Sequence, residues 1–267
     1  MHEEAQTRPH SGPGDGRRAP RSKWALLSLC LCFAIGVAGF SALGIWQLER
    51  RVWKLDLIDR VDQRLKAVPV AAPGPSAWPA INAGDDEYRQ LAVSGRFVDG
   101  RETLVQAVTD LGGGFWVMAP FRTDDGFTVL VNRGFVPPDK RDPATRQRAR
   151  PSGDRTVVHG LLRMTEPKGG FLRANDAAAN RWYSRDVQAI AATLRIPQAA
   201  PYFIDADATP NPGGWPVGGL TVIAFHNNHL VYAVTWFGLA LMVLGAAVVF
   251  VLFCGSDRRS WRPDRQA

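Results

Sequence analysis

Two histidines stand directly before a long apolar run near the end of the chain. In the stretch FHNNHLVYAVTWFGLA, His226 and His229 are three residues apart, so they share a face if the segment is helical. At a membrane surface an imidazole can ligate haem iron, or it can serve as a polar anchor at the interface. Asn227 and Asn228 are typical helix N-caps, and if the helix begins there, only His229 lies securely on it.

A second group of residues could complete a binding site around His229. Tyr232 and Trp236 follow it and are typical of an aromatic belt. A tryptophan and three basic residues follow the other long apolar run of the chain: Trp46, Arg50, Arg51 and Lys54. If the two runs form antiparallel helices, this surface offers an apolar macrocycle with two carboxylates a ligand, aromatic contacts and cationic partners. The alternative role of the basic residues is contact with lipid headgroups.

Both apolar runs are long enough to cross a membrane. Residues 24–45 and 230–254 contain no charged residue, and a span needs about 20 predominantly apolar residues. We therefore predict transmembrane helices at residues 24–45 and 229–254. The first run is longer than the roughly 7–15 residues of a signal-peptide core. Apolar residues also continue beyond it at helical spacing, so we expect an uncleaved anchor whose helix extends outside the membrane to about residue 66.

Basic residues flank each apolar run on the side nearer to the chain terminus. Four lie between residues 17 and 23 and four between residues 258 and 265, whereas residues 212–229 contain no lysine or arginine. Because positive residues stay on the cytoplasmic side, both termini are predicted to be cytoplasmic. The remaining predicted parts are a disordered cytoplasmic tail at residues 1–23, a periplasmic β-rich domain at residues 67–228 and a cytoplasmic tail at residues 255–267.

The charge pattern also bears on location and partners. The N-terminal tail contains Glu3, Glu4 and Asp15, whereas mitochondrial transit peptides are poor in acidic residues. We therefore expect a multi-pass protein of the bacterial inner membrane. The formal net charge of +7 is explained by basic residues in the tails, so we expect no nucleic-acid partner.

The chain shows no pattern typical of an enzyme. Its serines lie in no nucleophile-elbow pattern, the glycines at residues 112–114 are not followed by GK[ST], and no zinc-binding cysteine set occurs. Cys30 and Cys32 are two residues apart in a helical run, so they point to different faces and are expected to be small apolar core residues. His159 alternates within a predicted strand, which favours a structural role.

Alternating apolar residues predict a mainly antiparallel β domain between the two spans. Strands are expected at residues 88–98, 102–108, 115–121, 128–135, 156–164 and 201–204, and a helix at residues 186–194. Turn signals at Asp99-Gly100 and at residues 124–126 predict hairpins, and residues 139–154 an exposed loop. The predicted fold is a membrane protein whose two transmembrane α-helices flank an extracytoplasmic α+β domain, built as a small barrel or a sheet.

Four segments of the chain form a recognisable set: LGIWQLERRVWK (43–54), SGRFVDGRETLV (94–105), GGFWVMAPFRTDDGFTVLVNRGFVP (113–137) and NNHLVYAVTWFGLA (227–240). Together they resemble the Surfeit locus protein 1 family of cytochrome c oxidase assembly factors, and the resemblance covers nearly the whole chain except its tails. Phe135 stands where many members have tryptophan, and Val231 where many have glutamine.

The resemblance implies a non-enzymatic role in the maturation of oxidase subunit I, at the stage where haem a is inserted. By motif, His229 corresponds to the suggested haem ligand, and His226 matches less clearly. The implied partners are subunit I, haem a synthase and membrane lipids. The alternative is a scaffold that holds nascent subunit I and binds no haem. A copper carrier is disfavoured because it would need outward-facing cysteine or methionine ligands, and residues 46–229 lack cysteine.

The resemblance also singles out glycines in two of these segments. Gly113 and Gly114 open one segment, and Gly134 lies in the run NRGFVP. We interpret all three as positions that must stay small or adopt a positive φ.

Overall fold

Two long apolar helices begin and end the part of the chain that the structure describes. The computed structural model describes residues 23–149, 153–170, 172–223, 225 and 227–259. Helix α1 spans Lys23–Lys66 without a break, and the last helix, α4, spans His229–Arg259. By length and composition, α1 and the His229–Phe253 part of α4 are each able to cross a membrane. The chain therefore has two candidate transmembrane helices that flank its other elements, as the sequence predicts.

The chain divides into two compact units. One comprises Met1–Lys54 with His226–Ala267, and the other comprises Leu55–Phe225. The division falls inside α1, so the end of this helix belongs to the second unit. There Val61 is buried, and Nη1 of Arg64 donates to the carbonyl oxygen of Glu87 at 3.1 Å.

In the first unit, α1 and α4 pack as an antiparallel pair. Two aromatic contacts join them, with ring centroids 6.0 Å and 5.7 Å apart: Phe33 with Phe250, and Phe40 with Trp236. Gly44 makes a close contact across this pair, since an added Cβ there would lie 2.7 Å from the ring of Phe237. Glycine therefore lets the Phe237 ring pack directly against α1, as small residues allow at membrane helix interfaces.

Cys30 and Cys32 are free thiols with exposed side chains. The expectation that they are core residues is therefore wrong. A pair of helices leaves most of each helix surface facing outward, so small apolar side chains such as these also lie on the outward-facing surface.

Six strands form a barrel in the second unit. The elements there are α2 (Ala83–Asp86), β1 (Gln90–Phe97), β2 (Thr103–Thr109), β3 (Gly112–Thr123), β4 (Thr128–Val136), β5 (Thr156–Met164), α3 (Val187–Thr193) and β6 (Ala199–Ala206), with short 3-10 helices at Trp78–Ala80, Pro138–Lys140 and Pro143–Ala149. The strand order is β1-β5-β6-β4-β3-β2, and β1 also pairs with β3. Five strands thus close into a ring, and their pairs are antiparallel except for β4 with β6.

The hairpin predicted at Asp99-Gly100 is wrong. Strands β1 and β2 do not pair with each other. Residues 95–97 of β1 face residues 121–123 of β3, and β2 faces residues 112–118 of the same strand. The two short strands therefore act as one interrupted strand along β3. With that interruption, the connectivity is that of the five-stranded Greek-key barrel known as the OB-fold, which by itself assigns no function.

A buried carboxylate ties three strands of the barrel together. Asp205 on β6 is almost fully buried, and its side chain accepts hydrogen bonds from four residues at 2.8–3.1 Å: Asn132, Arg163, Arg185 and Thr221. A buried charge is tolerated only when it is paired and hydrogen-bonded in this way. The network therefore fixes β4, β5 and β6 relative to one another.

Two of the three glycines singled out in the sequence are required by close backbone approach. A Cβ at Gly134 would lie 2.2 Å from the carbonyl oxygen of Val217, and Gly134 also has φ +125°. A Cβ at Gly114 would lie 2.3 Å from the carbonyl oxygen of Val136. The interpretation of Gly113 is wrong, because an added Cβ there meets open space.

The segment predicted as an exposed loop at residues 139–154 contains a buried arginine. The side chain of Arg146 is only 4% exposed, and its guanidinium forms an ion pair with Glu102. Its Nε also donates to the carbonyl oxygen of Lys140 at 2.9 Å. The composition suggested a solvated loop, but this ion pair holds the segment against the start of β2.

Candidate functional site

His229 is the first residue of α4, and its ring is held by a residue of α1. Its Nδ1 lies 2.7 Å from Oε1 of Gln47. Gln47 is only 9% exposed, so water has little access to this contact. Asn228 occupies the N-cap position, where its carbonyl oxygen accepts the first helical hydrogen bond, from the backbone N–H of Tyr232 at 3.2 Å.

Asn227 carries a buried polar atom beside this pair. Its Oδ1 is buried and has no hydrogen-bond partner among the residues that the structure describes. This oxygen therefore does not cap α4. Buried polar atoms normally have a partner, so an orphaned acceptor two residues from His229 is consistent with a site that receives a bound group.

The basic residues predicted for the site lie on the same face of α1 as Gln47. Arg50, Arg51 and Lys54 follow Gln47 by three, four and seven residues, a spacing that places all four on one side of a helix. The guanidinium of Arg50 lies over the ring of Trp53, 3.9 Å from its centroid. Arg50 and Arg51 form no ion pair within the described part of the chain.

The three aromatic residues predicted for the site differ in their exposure and in their contacts. Trp46 and Tyr232 are each 53% exposed. Trp236 lies two turns further along α4 than His229, and its ring stacks on Phe40. Trp46 and Tyr232 thus keep free surface for a ligand, whereas one face of Trp236 is used by the helix pair. His226 lies outside the described residues.

Gln47 is the site residue that the sequence reasoning missed. A lone glutamine carries no periodicity or spacing signal, and its partner lies 182 residues away in the chain. The available signal was its position two residues beyond the uncharged apolar run, where a polar side chain near membrane depth marks a possible functional site.

The donor set suits haem better than a bare metal ion. In the described residues there is no group of three or more histidine, cysteine, aspartate or glutamate side chains that could hold a metal ion. The haem ring supplies most of the ligands of its own iron, so a single imidazole is enough. Within the described part of the chain, Nε2 of His229 makes no hydrogen bond and is the nitrogen left for this role.

Two clefts in the barrel unit are lined by charged residues, but the arginines in them bind to partners within the same unit. A cleft of about 540 Å³ contains Arg163 and Arg185, which both pair with Asp205. A second, of about 380 Å³, contains the exposed His159 and the buried Arg133. Burial lowers the pKa of Arg133, and its Nη2 donates to Oδ1 of Asn211 at 2.9 Å.

The chain is similar to a family of known proteins over most of its length. The model of the SURF1 family matches residues 34–241. Surfeit locus protein 1 of Homo sapiens is 38% identical over 235 residues, which are 82% of this chain and 73% of that protein. Its Mus musculus counterpart is 38% identical over 74% of this chain and 67% of its own length. A SURF1-like protein of Monosiga brevicollis is 36% identical over 90% of both chains.

Proposed function

The chain belongs to the SURF1 family, and on that premise we propose that it binds haem a and assists its delivery to subunit I of cytochrome c oxidase. Membership implies a role in the assembly of this oxidase, and the family is one of assembly factors rather than enzymes. The observation that carries the haem proposal is the contact between His229 and Gln47, which orients an imidazole and leaves Nε2 available for iron.

The basic and aromatic residues near His229 supply contacts for the edge and the face of the haem. Arg50 and Arg51 pair with the propionate carboxylates, because arginine forms strong charge-assisted hydrogen bonds with carboxylates and neither has an acidic partner within the described residues. Lys54 adds positive charge on the same face, and the exposed rings of Trp46 and Tyr232 offer apolar surface. When bound, the haem supplies the redox-active iron that subunit I requires.

We further propose that the protein lies in a bacterial inner membrane with both termini in the cytoplasm and the barrel in the periplasm. The support is the set of basic residues that lie between each apolar run and the nearer chain terminus. Haem a synthase, subunit I and the surrounding lipids are then the expected partners. Reporter fusions at the two termini test the orientation: activity of a periplasm-dependent reporter at either terminus would contradict it.

A scaffold without haem is the second candidate function. It is favoured by exposed apolar side chains on α1 next to the division between the two units: Val52 is 58% and Trp53 45% exposed. Such side chains suit contact with a hydrophobic partner such as nascent subunit I. In this case His229 is an interfacial residue with no ligand role.

Complementation separates the two candidates. A strain that lacks the protein receives the wild type, His229→Ala, or His159→Ala as a matched control from the barrel unit, and the haem a content of subunit I is measured. The haem proposal predicts reduced haem a with His229→Ala and full content with the control. Full content with His229→Ala, at equal protein level, would favour the scaffold.

A further inference from the structure

We propose that Gln47 is a positioning residue that fixes His229 in the tautomer with its proton on Nδ1. The imidazole then presents Nε2 as an unprotonated donor. The tautomer is inferred from the contact between Gln47 and His229 alone, whereas the use of Nε2 as an iron ligand rests on the proposed function.

The orientation of the Gln47 amide points to the nitrogen that carries the proton. Oε1 faces Nδ1 of His229 at 2.7 Å, and because the amide oxygen of glutamine is only an acceptor, this orientation requires Nδ1 to be the donor. A neutral imidazole carries one proton on its two nitrogens, so a proton held on Nδ1 leaves Nε2 with a free lone pair.

The surroundings favour a persistent hydrogen bond. Gln47 is 9% exposed and Ala233, one turn after His229 on α4, is 1% exposed. On α1, Gly44 is one turn before Gln47 and is in close contact with Phe237. The pair thus lies at the end of a tightly packed helix contact with little water to compete, and a low dielectric strengthens such a bond.

The hydrogen bond gives His229 the features of a good iron ligand. Histidines that bind metals usually donate their second ring nitrogen to an acceptor, which fixes the ring orientation and raises the basicity of the ligating nitrogen. Removal of such an acceptor typically weakens metal binding by about 10–100-fold. Gln47 thus acts through His229 without touching the haem.

Different substitutions at Gln47 are expected to have different effects on haem a binding. Gln47→Leu removes the acceptor at similar size, so haem a affinity should fall about 10–100-fold. Gln47→Glu keeps an acceptor and makes it stronger, so it should retain binding and lower the reduction potential of the bound iron. Gln63→Leu is the matched control, since Gln63 lies exposed on the same helix and hydrogen-bonds only to Asp59 among the described residues.

The test uses the full chain in detergent micelles with ¹⁵N-labelled histidine. Nitrogen NMR of the haem-free wild type, with the His229 signals assigned by their loss in His229→Ala, should show Nδ1 protonated and Nε2 unprotonated. In Gln47→Leu the two tautomers should mix, while Gln63→Leu should match the wild type. A proton on Nε2 in the wild type would overturn the proposal, and so would an unchanged tautomer in folded Gln47→Leu.

Haem titration of the same samples separates this proposal from the proposed function. If the wild type binds no haem a, the proposed function fails, and the NMR result alone decides the tautomer. If the wild type binds haem a and His229→Ala does not, the function stands. Equal haem affinity and equal reduction potential in the wild type, Gln47→Leu and Gln47→Glu would then overturn the role of Gln47.

Discussion

At the residue scale, the chemistry of the site depends on a few polar atoms near the start of α4. His229 has one ring nitrogen engaged by Gln47, and the Oδ1 of Asn227 is buried without a partner among the described residues. In the barrel unit, by contrast, buried polar groups such as Asp205 are satisfied within the domain. Polar atoms left available at one end of the helix pair are what a transient ligand site requires.

Gly134 gives a prediction about the stability of the barrel. Alanine there would have to adopt φ +125° and would place Cβ 2.2 Å from a backbone oxygen of Val217, so Gly134→Ala should destabilise the barrel by about 3 kcal/mol or more. Gly113→Ala, which meets open space, should change stability by less than about 0.5 kcal/mol. Thermal unfolding of the purified proteins measures both, and equal melting temperatures would contradict the structure.

Glu166 gives a prediction about pH. Burial by itself would raise the pKa of Glu166, but hydrogen bonds and charge from Arg185 hold it below its ordinary value of 4.5. A carboxyl group with a lowered folded-state pKa stabilises the protein above its unfolded-state pKa, and this stability is lost as the pH falls through the folded-state value.

Glu166→Gln should therefore be less stable than the wild type at neutral pH, and the difference should shrink as the pH falls below 4.5. Melting temperatures measured from neutral to acidic pH test this expectation. A difference that stays constant over that range would show that the ionised carboxylate contributes nothing to stability.

Some residues of the candidate site could be proposed from the sequence, and others could not. His229 and the basic residues after the first apolar run could be proposed from the sequence because their types and positions carry chemical meaning, and their roles as site residues stay a prediction. Gln47 was not, because its role appears only when two segments 182 residues apart come together. The burial of Arg146 was missed for the same reason, since its partner Glu102 lies 44 residues away.

At the element scale, the helix pair depends on close contact at Gly44. Gly44→Leu should push the Phe237 ring and α1 apart, weaken the helix contact by about 1–3 kcal/mol and reduce haem a binding through loss of the contact between Gln47 and His229. The matched control is Gly39→Leu, because an added Cβ at Gly39 meets nothing within 4 Å. Haem content and the melting of the helix pair, followed separately from that of the barrel, measure both variants, and equal effects at the two positions would contradict this packing.

Most strands were predicted within a few residues because alternation is a local signal. Strand β5 coincides with its predicted range, and β4 differs by one residue at its end. The pairing of strands was less predictable. The turn at Asp99-Gly100 separates β1 from β2, but β2 pairs with β3 instead of folding back to pair with β1. Closure of the barrel also depends on the contact of β1 with both β3 and β5, which no local pattern reveals.

At the scale of the whole molecule, the chain consists of a pair of candidate transmembrane helices with a candidate ligand site and of a closed barrel. The barrel has its own core and its own ion-pair network around Asp205, so it folds around contacts that do not involve the site. Substitutions in the helix pair that alter haem binding should therefore leave the melting of the barrel unchanged, which separates a binding defect from a folding defect.

The proposed role of His229 is to hold haem a. The most direct measurement is the absorption spectrum of the detergent-purified protein, co-expressed with the enzymes that make haem a, for the wild type, His229→Ala and His159→Ala. A haem a band is expected in the wild type and in His159→Ala, and none in folded His229→Ala. A band of full intensity in His229→Ala would contradict the role of His229, and its absence from all three proteins would contradict haem binding altogether.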